Sequence, residues 1–178
     1  MAGVMESRTK TKSRWLLIVL EIVLAAAILY SVYWWRTRDL LPTGQAIDVP
    51  RFELQTLDGP VWSQAELAGN ANVIYFFAPW CHVCNASAHQ LRWFDSWFGN
   101  SVKLVLVAME WDTLDDLRAY RDRHDLKAPI LLGDAVMARK FRVPGYPLYY
   151  IVDANGRIRG RDFGYTTVPG LLARTIAL

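Results

Sequence analysis

Asn72-Val73-Ile74-Tyr75-Phe76-Phe77-Ala78-Pro79-Trp80-Cys81-His82-Val83-Cys84 is the stretch on which the reading of this chain turns. Its first six residues are β-branched, aromatic or otherwise strand-compatible, the pattern of a central strand buried on both faces. Pro79 ends the run, and a helical pattern starts just after Cys81. Two residues between the cysteines put both sulfurs on the first turn of one helix, close enough to close a small disulfide ring and reopen it. Cys81 lies where unpaired backbone N–H groups and the positive helix end favour a thiolate, the attacking species. Cys84, one turn deeper, is the expected resolving thiol. The strand delivers the pair to the carboxyl edge of a sheet, and the pattern points to thiol-disulfide redox chemistry.

Two plainer readings of Cys-x-x-Cys are half of a zinc site and a structural disulfide. Zinc needs two more good ligands, yet the sequence has only these two cysteines, and His82, His89 and His124 are not paired at a zinc-finger spacing. A structural staple gains little from so short a loop, because the loop-closure contribution grows with the residues enclosed. Redox function is therefore preferred, with no metal or other cofactor expected.

The chain has 178 residues, 53% hydrophobic and 21% charged, enough for one domain plus an appendage. The appendage is an apolar run from Trp15 to Trp35. At about 1.5 Å per residue, 21 helical residues cover the ~30 Å hydrocarbon core of a bilayer. Trp15, Trp34 and Trp35 fall at the two interfacial belts. A cleavable signal peptide would carry a shorter apolar region and a small-x-small site; here the run ends Tyr-Trp-Trp-Arg, which favours an uncleaved anchor. Arg8, Lys10, Lys12 and Arg14 precede the span, whereas Arg36, Arg38 and Asp39 follow it, so the amino terminus is expected in the cytoplasm. The cysteine-bearing part is then expected outside an inner membrane, in a periplasm where one exists. Glu21 interrupts the run; contact with a polytopic membrane partner and simple accommodation among Leu and Ile are equally good readings.

The division expected is a basic cytoplasmic tail at 1–14, an anchor at 15–35, a tether at 36–48 around Pro42, Thr43 and Gly44, and a domain at 49–178. From position 49 onward 14 basic residues meet 13 acidic ones, so nothing suggests nucleic acid. Arg157, Arg159 and Arg161 alternate along a strand and read as the wet face of an edge strand.

Strand and helix patterns alternate through the domain. Phe52–Gln55 and Val61-Trp62 flank Asp58-Gly59 as a hairpin, and Ser63-Gln64-Ala65-Glu66 opens a short helix. Beyond the cysteines come a helix to about Phe98, a strand over Lys103–Met109, and a helix capped by Thr113 with Asp116 and running to about His124. A short strand at Pro129–Leu132, a helix at Ala135–Phe141, a hairpin of Leu148–Val152 with Ile158–Phe163 across Asp153-Ala154-Asn155-Gly156, and a helix from Val168 complete the order. His89 and His124 read as ordinary surface residues. Trp93 and Trp97, one helical turn apart, are expected to pack in a core or interface, an exposed docking patch being the alternative.

This pattern resembles the thioredoxin superfamily, and within it the membrane-anchored TlpA/ResA-like thiol-disulfide oxidoreductases. The resemblance rests on Phe76–Cys84, on Val143-Pro144-Gly145-Tyr146-Pro147, and on the hairpin from Leu148 to Ile158. It implies an α/β fold with a central mixed sheet flanked by helices. It also implies that Pro147 is a cis-proline facing the cysteines, where an extended substrate can pair with the backbone. Glu110 aligns with an acidic residue near the site of such proteins and is a candidate proton relay for Cys84, with Asp112 close enough to take that role. At the buried acidic position of thioredoxin this chain has Tyr75, a poor base, so proton relay must come from elsewhere or from water. Trp80, Tyr146 and His82 complete the candidate site; an imidazolium at His82 would favour the Cys81 thiolate.

The mechanism expected is attack by Cys81 on a partner disulfide, then resolution by Cys84, with net reduction of a protein partner and electrons supplied by a polytopic membrane donor. The alternatives are an oxidant or isomerase and a copper-binding redox protein using both cysteines and a histidine. A peroxidase of the same fold is disfavoured, since its reactive cysteine usually follows a Thr-x-x-Cys turn that Pro79-Trp80-Cys81 does not provide.

Overall fold

The computed structural model describes residues 3–43 and 47–176. It divides into two compact units, at Asp39 and Leu40. The first is one helix, α1 (Gly3–Thr37), whose stretch Arg14–Trp35 is long and apolar enough to cross a membrane by length and composition. The large apolar side chains described between Trp15 and Trp35 are exposed.

The second unit is built on a mixed sheet. Its strands are β1 (Ile47–Asp48), β4 (Ala71–Phe77), β5 (Val102–Ala108), β6 (Ile130–Leu132), β7 (Leu148–Val152) and β8 (Arg157–Phe163), in the order β1-β8-β7-β4-β5-β6. The central strand β4 runs parallel to β5 and antiparallel to β7, with Tyr75 opposite Leu106 on one side and Tyr149 on the other. A hairpin of β2 (Glu53–Gln55) and β3 (Val61–Ser63) precedes a short 3-10 turn, Gln64–Leu67, where Ser63 caps Ala65 as its sequence suggests. This is the α/β arrangement expected from the sequence.

Alternation along the strands produces two cores. Val73, Tyr75 and Phe77, with Leu104, Leu106, Tyr149 and Ile151, face α2 (His82–Phe98), α3 (Leu114–His124) and α5 (Val168–Ile176). Ile74 and Phe76, with Val105, Val107, Leu148 and Tyr150, face α4 (Ala135–Lys140) and the hairpin. Period-two side chains on a strand covered on both faces require this division.

Three expectations give way here. Residues 36–48 are not simply a tether: Leu40 and Leu41 are buried in the second core. Arg161 donates to the carbonyls of Leu40 and Leu41 at 2.7 and 2.5 Å, and the Leu41 N–H donates to the Tyr150 hydroxyl at 3.3 Å. The basic stripe is the wet face of an edge only in part: Arg157 and Arg159 are exposed and β1 covers β8 only at Arg157 and Ile158, whereas Arg161 turns inward. β8 is flanked by β7 and by the short β1, Arg161 is spent on that strap, Arg159 meets Asp153 and Arg157 meets Asp48. Gly44, named in the tether reading, lies outside the described residues.

Trp93 and Trp97 do not pack inward. They are 41% and 64% exposed and stack on one another at 6.1 Å, because α2 turns Cys84, Ala88, Leu91 and Phe94 inward and leaves the Trp pair on the outer face. The nearby His89 ring meets Trp93 edge-on.

Candidate active site

β4 ends at Phe77, and the turn Ala78-Pro79-Trp80 carries the chain from the sheet edge into α2. Cys81 is the cap of that helix: its backbone is extended, and its Sγ accepts the Cys84 N–H at 3.2 Å. A sulfur that accepts a helix-end N–H is placed to carry negative charge. Both thiols are free; Cys81 keeps a narrow opening to solvent at 7% exposure, whereas Cys84 has none.

The loop is braced from two sides. Asn85 Nδ2 donates to the carbonyls of Pro79 at 3.2 Å and Cys81 at 2.9 Å, and Asn85 Oδ1 pairs with His124 Nε2 at 2.9 Å. Since Oδ1 can only accept, His124 must carry its proton on Nε2. Burial, then Arg123 and His89, lower the His124 pKa and favour its neutral form. His124 is therefore not an ordinary surface histidine. From the same helix, Tyr120 donates to the Cys84 carbonyl at 3.3 Å, and its ring stacks on Phe77.

The remaining candidates gather beside the turn. The Tyr146–Pro147 bond is cis and Pro147 is buried. Tyr146 meets the exposed Trp80 ring edge-on at 6.1 Å, which places the proline loop next to the cysteine turn. The Tyr146 hydroxyl donates to Glu110 Oε1 at 3.2 Å; burial first, and then Glu110, push the Tyr146 pKa well up. Glu110 sits in a left-handed backbone conformation, φ 47°, at the end of β5. It lines, with Pro79, Trp80, Asp112, Asp116, Tyr120 and Arg123, an open cleft of about 270 Å³. His82 is exposed on the first turn of α2, with no hydrogen bond to either sulfur. Among the described residues, no group of three His, Cys, Asp or Glu side chains gathers as a metal-ligand set.

Asn85, Tyr120 and His124 escape a reading of the sequence. Asn85, four residues after the cap, has a local signal, since a first-turn Asn can bond back to the loop. His124 has none, because its partner lies 39 positions away on another helix.

Burial pushes the Cys84 thiol far above its ordinary value, and Cys81 adds to the rise; the Ala78 backbone and the Tyr75 side chain act the other way. A solvent-shielded thiol behind a capped, more accessible one is the division of labour that dithiol exchange uses. A thioredoxin-like sheet presenting Cys-x-x-Cys at a helix start, beside a cis X-Pro loop, is the framework of a thiol-disulfide oxidoreductase. Residues 46–161 match the AhpC/TSA family, and the chain belongs to that family. The thioredoxin-like protein YneN of Bacillus subtilis is 26% identical over 158 residues, 86% of this chain and 92% of that one. A secreted disulfide oxidoreductase of Mycobacterium tuberculosis, homologous to E. coli DsbE, superposes with a TM-score of 0.64 at 25% identity, over 71% of this chain and 96% of that one. A thiol:disulfide interchange protein from Chlorobium tepidum shares the fold with a TM-score of 0.68 at 21% identity, over 76% of this chain and 98% of that one.

Proposed function

We propose that this protein is a membrane-tethered, extracytoplasmic thiol-disulfide oxidoreductase that reduces disulfides in partner proteins. The observation that carries the reading is Cys81 capping α2 through the Cys84 N–H while Cys84 is enclosed behind it. Cys81 as thiolate attacks one sulfur of a partner disulfide; a Cys81–partner bond forms and the second partner sulfur leaves with the electron pair. Cys84 then attacks Cys81, the Cys81–Cys84 bond closes, and the partner departs as a dithiol carrying two electrons. Pro147 and Tyr146 border the place where an extended partner segment would lie, and Trp80 forms its apolar wall. Glu110, paired with Tyr146, is the candidate to pass a proton at the mouth of the cleft, with Asp112 beside it. His82 faces solvent and is assigned to contact with the partner.

The apolar helix supports an anchor with its basic end in the cytoplasm, and the secreted Mycobacterium relative supports a domain working outside it. A protein whose only two cysteines form the working pair needs an external electron source, and a polytopic membrane donor suits an anchored acceptor. Direction is tested by the reduction potential of the Cys81/Cys84 couple against glutathione and thioredoxin standards. A value near or below ~−270 mV is expected; one near ~−120 mV would make the protein an oxidant.

A further inference from the structure

The buried hydroxyl of Tyr75 has no work in the mechanism as described. Tyr75 is fully enclosed, and its Oη is one of four buried side-chain polar atoms without a hydrogen-bond partner among the described residues. A buried hydroxyl left unpaired is unfavourable and asks for an explanation. Its ring is held firmly, stacked against Phe77 on its own strand and Tyr149 on the next. It points into the core that holds Cys84, Ser87 and Ala88 on the inner face of α2. The groups that bear on it are Cys84, Ser87, Tyr120 and Cys81, and no carboxylate or cation is among them. The Ser87 hydroxyl already donates to the Val83 carbonyl at 2.9 Å, and the Tyr120 hydroxyl to the Cys84 carbonyl.

We propose that Tyr75 is a catalytic residue of the resolving step: its hydroxyl is a pre-set donor that takes up a hydrogen bond to the Cys84 sulfur when that sulfur becomes a thiolate. A neutral thiol is a weak acceptor, so the donor stands idle at rest; a thiolate is a strong one, so the bond forms where charge develops. A donor already enclosed and aimed needs no reorganisation at that moment. Burial holds the Tyr75 proton firmly on oxygen, so Tyr75 stabilises charge without acting as the base. This deepens the proposed dithiol exchange and rests on it. Cys84 loses its proton, attacks Cys81 of the Cys81–partner disulfide, and forms the Cys81–Cys84 bond. The partner sulfur leaves with the electron pair and takes up a proton from solvent, while Tyr75 keeps its own proton throughout.

The two steps separate with the reduced full-length protein in detergent and 5,5′-dithiobis(2-nitrobenzoate) in stopped flow. The first release of thionitrobenzoate reports attack by Cys81; the second reports Cys84 displacing the label from Cys81. Tyr75→Phe removes one oxygen from a packed ring and leaves the stacking intact. The expected result is an unchanged first phase and a second phase slower by about tenfold or more, as for loss of a hydrogen bond to a charged group. Ser87→Ala, which alters the same pocket but leaves the donor, should not slow the second phase. An unaltered second phase in Tyr75→Phe, an equal slowing of both phases, or an equal slowing by Ser87→Ala would overturn the proposal. Failure of the dithiol reading itself looks different: the wild-type protein would give no first phase that Cys81→Ser abolishes.

Discussion

Leu40 follows the last residue of α1 by three positions, yet it is only 1% exposed and belongs to the core beneath β7 and β8. Replacing it by alanine removes three buried carbons, about 2 kcal/mol of transfer free energy, and leaves a cavity whose partial collapse sets the total at about 2–5 kcal/mol. A domain of this size, with stability of about 5–15 kcal/mol, would lose a large share of it. The thermal midpoint should fall by roughly 6–15 °C at about 3 °C per kcal/mol. Arg161→Met should act on the same strap. It strands two carbonyls that now accept at 2.7 and 2.5 Å, at a cost of about 1.5–3 kcal/mol. Because both changes loosen one segment, the double variant should be less destabilised than the sum of the singles. The assay is urea unfolding followed by far-ultraviolet circular dichroism, with the exposed Asp39→Ala as the control that should shift stability by less than about 0.5 kcal/mol. If Leu40→Ala behaves like that control, Leu40 belongs to a free tether and the assignment of the strap to the domain is wrong.

The brace on the cysteine turn should register in both stability and coupling. Asn85→Ala removes two donors to backbone carbonyls and should lower stability by about 1–2 kcal/mol, while the double variant with His124→Ala should fall short of additivity by about 0.5 kcal/mol in a thermal-melt cycle. Acid should weaken the fold through His124. Its pKa is lowered in the folded state by burial, then by Arg123 and His89, so its contribution is present above the unfolded value of ~6.5 and is lost as pH falls through the lower folded value. Urea midpoints measured from pH 8 to pH 5 should show that loss in the wild type and a flatter profile in His124→Gln; equal slopes would remove His124 from the account.

The parts that were legible in the sequence are those whose cause is local. From Val73 to Phe77 the run is hydrophobic and buried on every residue because both faces of β4 are covered, and such a run admits few other readings. The cap at Cys81, the Thr113–Asp116 pair and the hairpin turns are likewise set within four or five residues of themselves. What stayed hidden is held by partners far along the chain. Leu40 and Leu41 look like part of a tether until Arg161, more than a hundred residues on, takes their carbonyls. The two residues of β1 are too short to signal a strand and exist because β8 offers an edge at Arg157 and Ile158. The Trp pair misled for a different reason: one-turn spacing tells that two side chains share a helix face, not which face the core occupies.

The two cores give this sheet two separate tasks. One face carries α2 and, with it, Cys81, Cys84, Tyr75 and the Asn85–His124 brace. The other face carries Leu40 and Leu41, the first residues of the domain. β4 and β7 serve both at once: Tyr75 and Tyr149 point toward the cysteines, while Phe76 and Tyr150 point toward the strap. Tyr150 shows how the second task is secured, since its hydroxyl accepts from Leu41 and donates to the Phe141 carbonyl at 2.7 Å. With Leu40 and Leu41 buried in one core and the cysteines in the other, the disulfide can open and close on the sheet face opposite the strap. The strap is fixed by burial and by Arg161, whereas the cysteine turn is braced by the few side-chain hydrogen bonds of Asn85, so the strap and the turn are open to separate perturbation.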